Sequence, residues 1–334
     1  MTKNAVVCGA GGFIGHHLCK YLVSKGYYVR GVDLKRPEFE ATHAHEFFLL
    51  DLRKPADAHT AMMHFADLPI TDHPEIDEVY QLAADMGGMG FIHSAELDIL
   101  FNNMQINRNM VEAAMLCGVQ RYFFSSSVCV YPDMKHGDPM VYESDVYPAM
   151  PDNEYGWEKL YAERVALTVA RHSSMQVRIA RFENTYGPLG TWRGGREKAP
   201  AALCRKVAEA SEGGEVEVWG DGTAERVFTY VDDLVDGIYK LMQSGYGHPV
   251  NIGSDQVVTV NELAQAVINL SGKELTIKHV EGPVGVLSRN FSHDIMKSLG
   301  WSAKHSLQHG LEKTYPWVLQ QVMFSSPPWQ RSSL

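Results

Sequence analysis

Apolar and polar positions alternate along this chain in blocks of two kinds. Short, mostly apolar runs recur at Ala5–Cys8, Tyr28–Val32, Phe47–Leu50, Glu78–Ala84, Tyr122–Phe124 and Val177–Phe182. Between them lie longer stretches whose apolar residues fall three or four apart, as at Leu18, Tyr21 and Leu22. The first pattern predicts strands buried on both faces, the second amphipathic helices. Their regular alternation predicts an α/β fold: a Rossmann-like, doubly wound parallel sheet with helices on both faces. Asp98–Cys117 reads as one such helix, with Asn103 and Asn109 set among apolar residues; buried amides of this kind are expected chiefly to satisfy backbone groups. A further amphipathic helix begins at Tyr155.

Beyond Asn184 the texture changes. A long Gly/Pro-rich loop, Gly187–Pro200, carries Arg193, Arg196 and Lys198; a Gly-flanked turn follows Trp219, and Arg226 enters a strand. Asp232 or Asp233 is expected to cap the next helix. Strands at Pro249–Gly253 and Leu275–Val280 follow, then Arg289 after a Gly/Pro segment. The chain thus divides into a dinucleotide-binding domain over residues 1–182, with segments near 227–252 returning to it. Residues 183–322 form a smaller C-terminal α/β substrate domain, and 323–334 a loose tail.

The chemistry enters at the strand exits. Ala5–Cys8 runs into Gly9, Gly11, Gly12, Phe13, Ile14 and Gly15 at the head of a helix, and the next strand ends at Asp33. Small residues there allow a tight turn and close backbone approach to a pyrophosphate, while an acid about 20 residues on bonds the adenosine ribose. Asp33 favours NAD over NADP, although Lys35 and Arg36 lie close; Asp51 is placed to reach the adenine. Asp85–Ile92 is a glycine-rich exit at the carboxyl end of the sheet, where doubly wound folds bind ligands. The serine run Ser125–Ser127 precedes Val128-Cys129-Val130-Tyr131-Pro132, and Tyr155 and Lys159 stand four apart on a helix. Residues i and i+4 share a helix face, so Lys159 is expected to lower the Tyr155 pKa. A phenolate can take a proton from a substrate hydroxyl while hydride leaves the same carbon, and a hydroxyl of the serine run can orient that oxygen. Alone, a Tyr-x3-Lys pair is equally five ordinary surface residues.

The totals narrow the function classes. The 334 residues carry a formal charge of −10, which argues against nucleic-acid or anionic-membrane partners but leaves room for an anionic ligand in a local basic pocket. The five cysteines show no CxxC or metal-ligand spacing, pointing to reduced thiols, a cytoplasmic setting and no metal. The first residues lead into a strand rather than a signal peptide, and no apolar stretch reaches the ~20 residues of a membrane helix.

The glycine loop, the serine run and Tyr155/Lys159 together resemble the extended short-chain dehydrogenase/reductase superfamily over nearly the whole chain. More narrowly, Ala83–Ile92, Val128–Pro132 and Trp192–Ala202 are similar to the signature segments of the GDP-mannose 3,5-epimerase family. That resemblance implies a nucleotide-sugar substrate, NAD-dependent oxidation at C4 with Tyr155 as base, Lys159 tuning it and Ser127 holding the oxygen. It implies proton exchange at C3 and C5 by Cys129 and Lys198, then re-reduction at C4. It also implies substrate contacts at Gly88, Met89, Asn184 and Arg289, with Trp219 and Arg226 as further candidates for the nucleotide, and a homodimer pairing the helices near Asp98–Cys117 and Tyr155–Arg171. Two departures stand out: Glu183 replaces a His, and Val286-Leu287-Ser288 replaces Val-Arg-Gly, so a GDP-heptose substrate stays open. The rival readings are a 4-epimerase, which would leave Cys129 and Lys198 idle, and a 4,6-dehydratase, whose Thr-Asp-Glu is replaced by Ser127-Val128-Cys129. A non-catalytic NAD-binding regulator is a third, though such proteins commonly lose the Tyr or Lys that this chain keeps.

Overall fold

The computed structural model describes residues 2–63, 76–282 and 285–325. The first half alternates as follows: β1 (Asn4–Cys8), α1 (Phe13–Ser24), β2 (Tyr28–Asp33), β3 (Glu46–Leu49), α2 (Pro55–Ala61), β4 (Glu78–Gln81), α3 (Met89–Ser94), α4 (Glu96–Leu116), β5 (Arg121–Ser127), α5 (Glu154–His172) and β6 (Gln176–Phe182). The second half holds β7 (Asn184–Tyr186), α6 (Ala199–Glu209), β8 (Glu215–Trp219), β9 (Glu225–Tyr230), α7 (Val231–Gln243), β10 (Val250–Ile252), β11 (Val257–Thr259), α8 (Val260–Ser271), β12 (Thr276–Val280), α9 (Asp294–Ser298) and α10 (Leu307–Ser325).

Seven strands form one parallel sheet in the order β3-β2-β1-β4-β5-β6-β10. The period of two in each strand sends alternate residues to opposite faces. Val6, Val79, Phe124 and Ile179 pack with Ala58, Met110, Ala114, Ala162 and Ala166 of α2, α4 and α5 on one side. Val7, Tyr80, Phe123 and Ala180 pack with Leu18, Leu22, Leu234, Ile238 and Leu241 of α1 and α7 on the other. The strand order reverses between β1 and β4, which opens a crevice at their carboxyl ends. A separate core gathers Tyr186, Trp192, Leu203, Val207, Val216, Val218, Phe228, Val267 and Val318 around two small sheets, β11-β9-β7 and β12-β8.

The structure corrects two expectations. Tyr230, not Asp232 or Asp233, caps α7. The strand β9 runs directly into the helix, and Asp233 instead turns inward to accept the backbone N–H groups of Lys304 and His305 at 3.0 and 2.8 Å. Residues 323–325 are the last turn of α10 rather than loose tail; 326–334 lie outside the described residues. β5 absorbs the whole serine run, and Val128–Val130 make one 3₁₀ turn beyond it that carries Cys129.

Candidate active site

The cofactor end of the crevice is built mainly from backbone. Gly9 adopts φ +82°, a conformation open to glycine, where the chain turns from β1 toward α1. Gly12 is the N-cap of α1 and contributes no side-chain cap, so amides of the first turn remain available to an anion. Asp33, at the end of β2, accepts N–H bonds from Gly11 at 2.9 Å and Lys35 at 3.2 Å. Its pKa is nonetheless held above the ordinary value, because burial outweighs those bonds. Gly9, Gly12, Phe13, Ile14, Gly15, Asp33 and Asp51 line a 630 Å³ cleft, within the ~300–1,000 Å³ of small-molecule pockets. These residues fit a dinucleotide: amides for the pyrophosphate and an acid for the ribose.

The same cleft is lined further along by Ser127, Tyr155, Lys159 and Lys198. Asn153 caps α5 by accepting the Gly156 N–H at 2.9 Å. A Cβ at Gly156 would collide with the Cys129 carbonyl, so glycine lets the first turn of α5 settle onto the 3₁₀ turn. Tyr155 and Cys129 are thereby brought into one apolar cluster with Met89, Ile92 and Ile99. The Ser127 hydroxyl accepts the Cys129 N–H at 3.2 Å and lies within hydrogen-bonding reach of the Tyr155 phenol. Lys198, the N-cap of α6, interacts electrostatically with Cys129; burial pushes the Lys198 pKa below the usual lysine value, and the thiol partly offsets that.

The Tyr155 phenol is not lowered as expected; its net shift is upward. Burial, followed by Cys129 and Glu158, pushes the Tyr155 phenol well above its ordinary pKa. The Lys159 Nζ lies 5.7 Å from the phenol ring centroid and donates to the Ser125 carbonyl at 2.9 Å. Lys159 is itself shifted down by burial.

On the far side, Arg289 donates to Asp152 at 3.3 Å and toward the Val128 carbonyl at 3.5 Å. Arg226 is pushed down to about 10 by burial and then by Arg289, with Cys129 acting in the opposite sense. Two adjacent guanidiniums favour an anion between them. Gly88 caps α3, and Asn184 opens β7 between Glu183 and Thr185, both of which line the cleft. Trp219 ends β8, about half exposed, against Gly282 and Lys206. Of the loop cations, Arg193 lies over the Trp192 ring and Arg196 pairs with Asp85. The departure at Glu183 has its own partner: the buried carboxylate meets His293 Nε2 at 3.1 Å, and His293 Nδ1 meets Asp255 at 2.9 Å. Asn103 and Asn109 satisfy backbone groups, of Asp85 and of Leu52 and Arg53.

Sequence reasoning missed the polar layer beneath the site. Arg181 makes two bonds to Glu163, at 2.9 and 2.8 Å, and Ser126 donates to the same carboxylate. Arg181 also donates to the Tyr131 hydroxyl at 2.8 Å, which donates to Asn251 at 2.7 Å. Asn107 links Gln81 to Glu158 at 3.0 and 2.7 Å. The available signal was an arginine inside an otherwise apolar strand, since a buried charge demands a partner. Among the described residues, His16, Glu40 and His43 bring ligand-type atoms within 4.8 Å of one another. Glu40 there faces both imidazoles and lies 3.7 Å from the Lys20 ammonium, which already supplies a cation.

Comparison with known proteins gives this geometry a context. The model of the NAD dependent epimerase/dehydratase family matches residues 5–253. GDP-mannose 3,5-epimerase 1 of Oryza sativa subsp. indica is 43% identical over 321 residues, covering 95% of this chain and 82% of that protein. The UDP-glucose 4-epimerase of Thermotoga maritima, solved with UDP-glucose, shares the fold with a TM-score of 0.83 at 24% identity, covering 96% of this chain and 99% of that one. MoeE5 in complex with UDP-glucuronic acid and NAD superposes with a TM-score of 0.80 at 27% identity, covering 95% and 99%.

Proposed function

The chain belongs to the NAD dependent epimerase/dehydratase family, and we propose that within it the protein is a GDP-mannose 3,5-epimerase. The observation that carries this reading is that Cys129, on a turn packed in one cluster with Tyr155, interacts electrostatically with Lys198, a lysine that lines the cleft. A 4-epimerase needs no such pair, and a dehydratase needs acids where this chain has Val128 and Cys129. The 43% identity to the rice enzyme extends over 321 residues, 95% of this chain.

NAD⁺, when bound against the glycine turn and Asp33, would supply the hydride acceptor and donor for C4. The chain's own residues do the rest. Ser127 orients the C4 oxygen, and Tyr155 exchanges its proton. Burial keeps the phenol protonated, the form needed to return that proton; taking it in the first step requires nearby cation charge, for which Lys159 is the candidate. A C4 ketone acidifies the C3 and C5 protons, and inversion needs one group to remove a proton and another to return it on the opposite face. Cys129 and the down-shifted Lys198 take these roles. The Arg226 and Arg289 guanidiniums hold the diphosphate, with Gly88, Met89 and Asn184 around the sugar. The same reading makes the protein a cytoplasmic homodimer. Leu97, Phe101 and Met104 of α4 and Trp157 and Tyr161 of α5 are exposed on two helices that pack together, an apolar face suited to a second copy.

Incubation with GDP-mannose in D₂O, without added reductant, tests the reading. Deuterium at C3 and C5 with new GDP-hexose isomers, seen by proton NMR and mass spectrometry, is the expected result. No exchange by NAD-loaded protein would sink the GDP-mannose assignment and direct attention to other nucleotide sugars, a GDP-heptose first.

A further inference from the structure

One wall of the cleft carries a continuous run of hydrogen bonds that the reaction above does not use. Asp51 accepts from Arg53 Nε at 2.8 Å and Nη2 at 2.9 Å. Arg53 Nη1 donates to Asn102 Oδ1 at 3.1 Å, and Asn102 Nδ2 donates to Asp85 Oδ2 at 2.9 Å. Arg196 Nη1 closes the run on Asp85 Oδ1 at 2.9 Å. All five residues line the cleft, from the adenosine end to the loop that carries Lys198.

The junction at Asp85 is fixed. Its backbone N–H donates to Asn103 at 2.7 Å, its carbonyl accepts from Asn103 at 3.2 Å, and its two carboxylate oxygens serve different partners. Arg196 is held at three points: by that carboxylate, by stacking 3.7 Å above the Phe91 ring centroid, and by its carbonyl, which accepts the Gly88 N–H at 3.1 Å. An isolated half-exposed ion pair contributes only about 0–1 kcal/mol. Here the pair is one of three restraints on a single residue, two positions before Lys198. Tyr155 and Lys159 are placed by α5 and Ser127 by β5, and the loop 85–91 meets Tyr155 through apolar side chains such as Met89, so this run of polar bonds bears chiefly on Lys198.

We propose that Arg196 is a positioning residue: anchored through Asp85 and Asn102 to the adenosine wall, it holds the loop 187–198 on the loop 85–91 and so sets Lys198 against Cys129. The proposal rests on the functional reading above. It follows that Arg196 governs proton exchange at C3 and C5 and leaves oxidation at C4 largely alone. Proton transfer needs heavy atoms about 2.6–3.2 Å apart, and a displacement of about 1 Å costs on the order of 100-fold.

The test uses the full-length NAD-loaded protein with GDP-mannose in D₂O, following deuterium incorporation and, in single turnovers, the absorbance of reduced cofactor. Arg196→Ala is expected to slow incorporation about 10- to 100-fold while the cofactor transient changes less than about twofold. Arg196→Lys, which keeps the charge on Asp85, is expected to restore much of the loss, and Asn102→Ala to give a smaller loss of the same kind. A parallel fall in both signals, or exchange that Arg196→Ala does not touch, overturns the proposal. If Arg196→Ala fails to fold, Asn102→Ala and Arg196→Lys decide by the same split. Wild-type protein that exchanges no deuterium defeats the functional reading instead. Amide hydrogen exchange then decides the anchoring: faster exchange across both loops in Arg196→Lys and Asn102→Ala supports it, and unchanged rates overturn it.

Discussion

The two ends of the cleft are made by different means. At the cofactor end, one continuous stretch from Cys8 to Asp33 supplies nearly everything, through glycine geometry, helix-end amides and a single acid. At the sugar end, Ser127, Cys129, Tyr155, Lys198 and Arg289 arrive from well-separated segments, above a layer of paired buried charges. The first end is steric and local, so damage there should be graded. At the second, removing one member of a pair strands the other in a low-dielectric interior, so damage should be abrupt.

The sharpest way to separate the ends is to disable Cys129 and Lys198, the pair proposed for proton exchange. Cys129→Ala and Lys198→Ala are each expected to lower C3/C5 deuterium exchange about 10²- to 10⁴-fold, the usual range for a lost acid or base. NAD affinity, measured by fluorescence titration, should stay within about twofold. A matching loss of NAD binding would mean that the two ends are one unit.

The difference also governs what the sequence discloses. The glycine loop, Asp33 and the Tyr155/Lys159 spacing are legible because backbone geometry and helix periodicity act over a few residues. The parallel sheet is legible for the same reason, each strand being a short apolar run. The pairing of Arg196 with Asp85 spans 111 positions, and that of His293 with Glu183 spans 110; no local pattern encodes such partners. The raised pKa of Tyr155 belongs here too. Helix spacing puts Lys159 on the right face, but burial depth, a tertiary fact, raises the phenol and lowers the lysine. Asp233 fits an N-cap by residue type, yet the direct β9–α7 junction sends it to a longer-range task.

Next in size is the charge layer itself. Arg181 and Glu163 are both nearly inaccessible. Arg181→Met should destabilise the protein by about 3–5 kcal/mol in urea unfolding, because Glu163 is left buried without its guanidinium partner, keeping the Ser126 hydroxyl as a donor. The double variant Arg181→Met/Glu163→Leu should recover much of that. If the single and double variants are equally stable, the layer is packing rather than electrostatics. A smaller, graded effect is expected at the other end. Gly9→Ala forces a side chain into the left-handed region at φ +82°, at about 1–2 kcal/mol, with its Cβ 2.9 Å from the Ala83 nitrogen. The NAD dissociation constant should rise roughly tenfold or more, with turnover at saturating NAD little changed.

The smallest effect probes the sign of the charge layer rather than its size. Burial alone would lower the His293 pKa, but Glu183 and then Asp255 hold it above its ordinary 6.5. A folded pKa above the unfolded one means that the imidazolium's contribution is complete below pH 6.5 and disappears as pH rises through the folded value. Glu183 acts in the same direction: burial, only partly offset by His293 and Arg289, keeps its pKa above 4.5, so ionising it in the fold opposes stability as pH rises. His293→Gln keeps a donor for Glu183 and removes the charge. Its melting temperature should therefore lie below wild type near about pH 6, and the gap should narrow steadily toward about pH 9. Asp255 retains Lys297 at 2.9 Å in the variant, so the change reports on the buried partner, Glu183. A gap that widens with pH would place a neutral imidazole between the two carboxylates and reverse the assignment of charge at this end of the cleft.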